Sequence, residues 1–93
     1  MRTIERTTLF RRDFKRLLKS RHSGILDEVF WVIVEELAKD APLSAALRDH
    51  PLTGDWKGCR DCHIKPDLVL IYEKPDQDTL RLIRLGSHSQ LGL

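Results

Sequence analysis

The sequence of 93 residues has little cysteine and no long apolar run. Its two cysteines cannot form a disulfide framework. No stretch approaches the roughly 20 apolar residues that cross a bilayer. The first residues, MRTIERTTLFRRDF, hold no apolar core of the kind that a secretory signal requires. These absences predict a cytoplasmic protein without a membrane partner.

Chain length and composition favour a single globular domain. A chain of this length predicts one domain, residues 1–93. A hydrophobic fraction of 41% is ordinary for a globular chain, so one modest core is feasible without covalent cross-links.

Charge is unevenly distributed although the formal net charge is only +2. Residues 1–21 carry eight basic and two acidic side chains, a net +6, whereas residues 22–40 carry one basic and five acidic, a net −4. Two solvated helix faces of opposite sign explain this pattern. A basic surface that faces a polyanion explains it equally well, because clustered Lys and Arg release counterions from phosphates.

The N-terminal half predicts one strand followed by two helices. Residues 3–8 are short and β-branched, which favours a strand. Apolar residues then recur at helical spacing from Leu9, and the Ser-Gly pair after Arg21 predicts the end of that helix. A second helix is expected from Ile25 to Lys39, apolar around much of its circumference. Together they predict an antiparallel helical hairpin that covers one face of a sheet.

The C-terminal half predicts an antiparallel meander, so the fold class is α+β with the order β-α-α-β-β-β. We expect one further turn within residues 44–49, a loop at 51–55, and strands at 56–64, 68–73 and 79–85. The run LVLIY predicts a central strand buried on both faces, with Tyr72 in the core. The sheet face opposite the helices is expected to be open to a ligand.

Titratable side chains are concentrated in residues 49–67, DHPLTGDWKGCRDCHIKPD. This segment holds His50 and His63, and His88 follows the last predicted strand. The pKa of a histidine is about 6.5 and varies by roughly one unit between proteins, so one histidine can accept a proton at neutral pH while another donates one. Other charged side chains near them in sequence are Lys57, Arg60, Asp61, Asp67, Arg81 and Arg84.

Histidines and arginines together meet the needs of RNA cleavage without a metal. Attack by a 2′-hydroxyl requires a base, a cation that stabilises the charged phosphorane, and an acid that protonates the departing 5′ oxygen. A surface or structural role is the commoner interpretation of any single histidine. Three of them in the C-terminal half weaken that interpretation.

Zinc binding is an alternative interpretation of the same segment. Cys59 and Cys62 form a C-x-x-C motif followed by His63, and His50 or His88 would complete a ligand set. Residues three apart on a strand point to opposite faces, so the two sulfurs would diverge unless a turn intervenes. We therefore expect no metal.

Several short motifs occur in a fixed order and carry a resemblance. They are DHPL at 49–52, WKG at 56–58, RD at 60–61, His63, PD at 66–67, LIY at 70–72 and RLGSH at 84–88. This pattern closely resembles the YafQ branch of the RelE/ParE toxin superfamily of bacterial toxin–antitoxin systems. The resemblance is dense over residues 47–88, and it implies a RelE-like fold.

The activity implied by the resemblance is that of a ribosome-dependent mRNA interferase. Such toxins cut the codon in the ribosomal A site, leave a 2′,3′-cyclic phosphate and a 5′-hydroxyl, and in this branch prefer adenine-rich codons. No cofactor is implied. His50, His63, Asp67 and His88 match the family's catalytic set, with His50 or His63 as base, His88 as acid and Asp67 as orienter or proton relay.

The partners implied are the ribosome, its mRNA and a cognate antitoxin of DinJ or RelB type with a ribbon-helix-helix part. Operator DNA would be bound only through the antitoxin complex. Trp56 either stacks on a base or packs beneath its loop. The basic first helix would lie on ribosomal RNA. The residues expected to bind RNA are Arg11, Arg12, Lys15, Arg16, Lys19, Trp56, Lys57, Arg60, Arg81 and Arg84.

Two positions depart from the family pattern. Cys59 stands where the family commonly has an aromatic, and no aromatic follows His88 near the C-terminus. The second departure concerns codon preference more than reaction type. Two other classes of function remain open from the sequence: a ParE-like toxin that acts on DNA gyrase without nuclease activity, and a small zinc-binding interaction module.

Overall fold

A five-stranded sheet organises the computed structural model, which describes residues 1–93 except for the side chains of Ile25 and Asp27. The strands lie in the order β1-β5-β4-β3-β2. β1 runs parallel to β5, and all other neighbours are antiparallel. The α+β class and the mainly antiparallel sheet are confirmed. The bounds are β1 Thr3–Arg6, β2 His50–Pro51, β3 Arg60–Lys65, β4 Leu68–Asp76 and β5 Thr79–Gly86.

Two helices form the predicted hairpin. The first helix is Thr8–Leu18, and the hydroxyl of Thr7 caps it by accepting a hydrogen bond from the Phe10 amide at 3.0 Å. The second helix spans residues 23–38 and contains a π-helical segment, Leu26–Phe30, before its longer α-helical part, Trp31–Ala38. A short C-terminal helix, His88–Leu91, was not predicted.

The main core lies between the hairpin and the sheet. Phe10, Phe14 and Phe30 form an aromatic cluster with ring centroids 5.7–6.0 Å apart. Fully burying one such side chain contributes about 1.5–3 kcal/mol, so this layer dominates the stability of the fold. The buried sheet residues beneath the helices are Cys62, Ile64, Leu68, Leu70, Tyr72, Leu80, Leu82 and Leu85.

A buried carboxylate connects the first helix to β5. Asp13 is only 3% exposed. It accepts hydrogen bonds from Nε of Arg84 at 2.7 Å and from the backbone amide of Leu85 at 3.0 Å. A buried charge is tolerated only when it is paired in this way, so these bonds determine where the helix sits along β5.

The central strand β4 is buried on both faces, as predicted. Every residue from Leu68 to Tyr72 is at most 1% exposed. On the face away from the helices, Val69 and Ile71 pack against Leu91, with Leu52, Trp56, Cys59 and Ile83 around them. The expectation that this face is open to a ligand is therefore wrong over much of its area, because the loop before β3 and the C-terminal helix cover it.

Three predicted boundaries are corrected by the structure. β3 begins at Arg60 rather than Trp56, because Gly54–Trp56 forms a 3₁₀ turn and Gly58 takes a left-handed φ of 93°. The first helix ends at Leu18, before Arg21, where Ser20 turns back onto the Leu17 carbonyl. The short strand β2 was not predicted, and β4 extends to Asp76, two residues into the turn predicted at residues 75–78.

Within the part of the chain that is described, no helix combines the length and the apolar character needed to span a bilayer.

We expect Asp13→Ala to lower the free energy of unfolding by about 2–4 kcal/mol, because it leaves the Arg84 guanidinium and a buried amide without their acceptor. Urea denaturation measures the loss. Glu35→Gln is the matched control, since it breaks an exposed pair with Lys39 at 2.9 Å and should change stability much less than Asp13→Ala does. Equal losses in the two variants would contradict the role of Asp13.

Candidate active site

Three histidines converge at one corner of the sheet. The ring centroids of His50 and His63 are 6.2 Å apart, and those of His63 and His88 are 5.0 Å apart. His63 therefore lies between the other two. The structure brings together all four residues of the expected catalytic set, since Asp67 contacts His88.

Strand pairing places these side chains. His63 pairs with Val69 in β4, and Val69 pairs on its other side with Gly86 in β5, two residues before His88. His50 in β2 pairs with Asp61, which precedes His63 by two residues in β3. Side chains two apart on a strand share a face, so these residues all lie on the side of the sheet away from the helices.

His88 is held at the start of the C-terminal helix. Ser87 and Gln90 form a capping box. The Ser87 hydroxyl accepts a hydrogen bond from the Gln90 backbone amide at 3.2 Å, and the Gln90 side chain accepts one from the Ser87 backbone amide at 2.9 Å. One carboxylate oxygen of Asp67 accepts hydrogen bonds from Nδ1 of His88 at 2.8 Å and from its backbone amide at 3.1 Å. The side-chain bond and then the backbone bond keep the pKa of Asp67 below its ordinary value, so this carboxylate is ionised and directs Nε2 of His88 outward.

Asp61 joins the cluster, although the sequence indicated it only as a neighbour of the histidines. It is 2% exposed. Its Oδ1 lies 2.8 Å from Nδ1 of His50, and its Oδ2 lies 4.0 Å from Nε2 of His63. The signal available in the sequence was the spacing Asp-x-His within a strand, which places the two side chains on one face.

Two buried polar atoms in this cluster make no hydrogen bond to any described residue: Oδ1 of Asp61 and Nε2 of His63. Nδ1 of His50 lies 2.8 Å from both Asp61 and the carbonyl oxygen of Arg48, and it makes a hydrogen bond only to the carbonyl. Most buried polar groups in proteins are bonded, and exceptions are typical of catalytic positions. Nε2 of His63 is thus buried without a hydrogen-bond partner, 4.0 Å from the carboxylate of Asp61.

Burial shifts the pKa values of Asp61 and His63 in opposite directions. Loss of solvent raises the pKa of Asp61, and the charges of the three histidines oppose that shift. Loss of solvent lowers the pKa of His63, against the attraction of Asp61. His63 is therefore neutral at neutral pH, the form that a general base requires.

Four arginines predicted to bind RNA are engaged in ion pairs within the protein. Arg60 donates to Asp49 at 3.0 Å, Arg81 pairs with Glu5 and Glu73, and Arg16 and Arg84 both pair with Asp13. The cations that line a cavity with His63 are instead Arg48 and Lys65. The sequence did not indicate either, because neither lies at a motif position.

The other residues predicted to bind RNA lie outside the histidine cluster. Arg12, Lys15, Arg16 and Lys19 line one shallow depression of about 470 Å³ on the first helix, and Arg11 is exposed on the same helix. Lys57 is exposed after the Gly54–Trp56 turn. Trp56 packs against the apolar cluster on the second face of the sheet, which gives it a structural contact. RNA binding by these residues stays a prediction.

The two cysteines point to opposite sides of the sheet. Cys62 is fully buried in the core beneath the helices, whereas Cys59 packs against the cluster on the other face. One ion cannot bind both sulfurs in this arrangement. Burial also raises the pKa of Cys62 to about 12 and raises that of Cys59, which disfavours the thiolate that binds zinc. No group of three or more His, Cys, Asp or Glu among the described residues is arranged to hold a metal.

The mixed sheet, the helical hairpin and the histidine corner together define a small RelE-like toxin. The family model described as "Bacterial toxin of type II toxin-antitoxin system, YafQ" matches residues 2–92. This chain therefore belongs to the YafQ family of type II toxin–antitoxin toxins.

Relatives and solved structures agree with this assignment. The mRNA interferase toxin YafQ of Escherichia coli K12 is 38% identical over 90 residues, which cover 97% of this chain and 95% of the relative. The structure of a copper-bound mutant toxin from Helicobacter pylori has a TM-score of 0.82 and 42% identity, covering 98% of this chain and 99% of that one. YafQ in the E. coli DinJ–YafQ complex has a TM-score of 0.78 and 36% identity, covering 98% of each chain.

We expect Asp61→Asn to raise the melting temperature, because it removes a buried carboxylate whose charged form is disfavoured. The raised pKa means that the folded state binds a proton more readily than the unfolded state, so the wild-type carboxylate destabilises the fold above its folded pKa. A gain of about 1 kcal/mol corresponds to about 4–8 °C for a domain of this size. The gain should shrink as pH falls toward 4, and calorimetry across pH tests it; a lower melting temperature at pH 7 would contradict the interpretation.

Proposed function

We propose that this toxin is a ribosome-dependent mRNA interferase that acts in the cytoplasm. The observation that carries the proposal is the pairing of two unlike histidines at 5.0 Å, the buried, neutral His63 and the carboxylate-anchored His88. A base and an acid on either side of one phosphodiester are what cleavage through the 2′-hydroxyl requires. The similarity to the E. coli toxin named as an mRNA interferase supports the same activity.

The chemical step follows from the two histidines. The imidazole of His63, which lines the smaller cavity, takes the proton from the 2′-hydroxyl, and the 2′ oxygen attacks phosphorus. The bond from phosphorus to the 5′ oxygen then breaks, and His88 gives its proton to that oxygen. The products are a 2′,3′-cyclic phosphate and a 5′-hydroxyl, with no change of oxidation state. Ionised Asp67 orients the imidazole of His88 through the 2.8 Å hydrogen bond to Nδ1.

Neighbouring charged groups support this step. Asp61 lies 4.0 Å from Nε2 of His63 and stabilises the positive charge that this ring acquires. Arg48 lines the same cavity as His63 and is the nearest candidate to stabilise the negative phosphorane. Its backbone takes a left-handed φ of 50°, a strained conformation that occurs preferentially at functional sites. The Arg48 carbonyl also holds His50, so this one residue both orients a histidine and supplies a cation.

Partners and specificity follow the family. The E. coli relative has been solved with DinJ, and we propose a DinJ-like antitoxin with a ribbon-helix-helix part that binds operator DNA. The ribosomal A site supplies the mRNA, and adenine-rich codons are the preferred substrates. The chain ends Ser-Gln-Leu-Gly-Leu after His88, and Leu91 packs into the apolar cluster of the second sheet face.

The test of the function is induction of the toxin in cells followed by primer extension on cellular mRNA. Wild type should arrest growth and produce cuts phased with codons. His63→Ala and His88→Gln should each reduce cleavage by about 100-fold or more while remaining folded and bound to ribosomes. Lys39→Gln is the control, since Lys39 lies in an exposed pair remote from the histidines. Intact messages accompanied by DNA damage would indicate a gyrase poison and overturn the proposal.

The pH dependence of single-turnover cleavage provides a second test. Because burial lowers the pKa of His63, the rate should fall only when the pH drops below about 6.5, the ordinary value for a histidine. In Asp61→Asn the ring loses a neighbouring negative charge, so the acidic limb should move to still lower pH. An acidic limb above pH 7, or one that moves upward in the variant, would contradict His63 as the base.

A further inference from the structure

A second cavity lies beside His88 and is not part of the histidine cluster. Its volume is about 850 Å³, within the range of about 300–1,000 Å³ that is typical of ligand sites. It lies between the end of the first helix, the turn joining β3 to β4, and the C-terminal helix. Its polar lining comes from Arg16, Ser20, Arg21, Lys65, Ser87 and Gln90.

The cavity carries a net positive charge. Arg21 and Lys65 line it with one described carboxylate, Asp67, which already accepts both hydrogen bonds from His88. Arg16 also lines it, but its guanidinium pairs with Asp13 at 3.3 Å. Arg21 is near enough to Asp67 that its charge helps lower the pKa of that carboxyl. Among the side chains that the structure describes, no carboxylate lies within 4.0 Å of Arg21 or Lys65. The chemistry of this surface fits a phosphate.

The cavity shares one lining residue, Lys65, with the smaller cavity of about 360 Å³ that is also lined by Arg48 and His63. Arg48, Lys65 and Arg21 together define a basic track, with His63 in the smaller cavity and Asp67 in the larger one. A single RNA strand that followed this track would pass the base before it reached the acid.

The position of the acid sets the direction of the strand. His88 protonates the 5′ oxygen of the leaving group, and that oxygen belongs to the nucleotide on the 3′ side of the cut. We propose that the Arg21–Lys65 cavity binds this 3′ nucleotide and that both cations contact the next phosphate downstream. The strand's 5′ side then lies toward Arg48. This inference rests on the proposed function and adds to it a binding subsite and a polarity.

Programmed ribosomes and site-specifically modified mRNA test the subsite. The cut in unmodified mRNA is first mapped with the wild-type toxin. Two further messages carry a neutral methylphosphonate in place of either the first phosphate downstream of the cut or the first phosphate upstream. Single-turnover cleavage of all three is measured with wild type and with Arg21→Gln/Lys65→Gln, in which both replaced side chains are exposed. Circular dichroism and thermal melting establish that the variant is folded.

We expect the effects of the double variant and of the downstream modification on the cleavage rate to be non-additive, because both remove the same contact. Neutralising the downstream phosphate should slow wild type by about tenfold, the effect of losing charge-assisted contacts. The double variant should show the same loss on unmodified mRNA and no further loss on the downstream-modified message. Upstream neutralisation should slow both proteins by the same factor. Lys39→Gln, at the opposite end of the second helix from Arg21, should behave as wild type.

Two results would overturn the inference while leaving the nuclease assignment intact. In the first, the double variant cleaves the downstream-modified message more slowly than unmodified mRNA, by the same factor as wild type does. The cations then contact some other group, such as ribosomal RNA. If the non-additive effect appears with the upstream phosphate instead, the strand runs in the opposite direction. Wild type that leaves unmodified mRNA intact would overturn the proposed function, and the subsite with it.

Discussion

Pairing at Val69 is the constraint on which the site depends. This residue is fully buried in β4 and pairs with His63 on one side and Gly86 on the other. A one-residue slip in either register would turn side chains to the opposite face of the sheet. His63 would then point into the core beneath the helices. The apolar run that makes β4 the central strand therefore also determines that two histidines distant in sequence meet at 5.0 Å.

Two buried groups of the site, Asp61 and His63, destabilise the fold. Asp61 and His63 are buried with polar atoms that no described residue satisfies, and burial disfavours the charged form of each. Proteins retain such groups where the chemistry needs them, and other parts of the structure offset the loss. Here the aromatic cluster of the hairpin and the Asp13–Arg84 connection provide the compensation. The main core and the proposed catalytic site thus lie on the two sides of one sheet.

The basic residues near the histidines fall into two groups, one held in ion pairs within the protein and one that lines the cavities. Arg60, Arg81 and Arg84 were natural candidates for RNA contacts because they lie close to the histidines in sequence, but each is held by carboxylates of the protein. The cations that line the cavities around the site, Arg48 and Lys65, lie in a turn and at the end of a strand. An arginine's partner within the protein is determined by packing rather than by proximity in sequence, and RNA binding by these three stays a prediction.

The sequence alone predicted the first strand, the helical hairpin, the last three strands and the buried position of the central one. It also identified His50, His63 and His88 as candidate catalytic residues. Hydrophobic periodicity and motif spacing are local properties of the chain, so they can be read without the structure. The sequence also indicated that the two cysteines diverge, since residues three apart on a strand face opposite ways. Only the tertiary structure decided that Asp61 is buried among the histidines, that Trp56 lies in a turn, and that the C-terminal helix covers much of the second face. These features depend on contacts between segments far apart in the chain, and no periodicity within one segment encodes them.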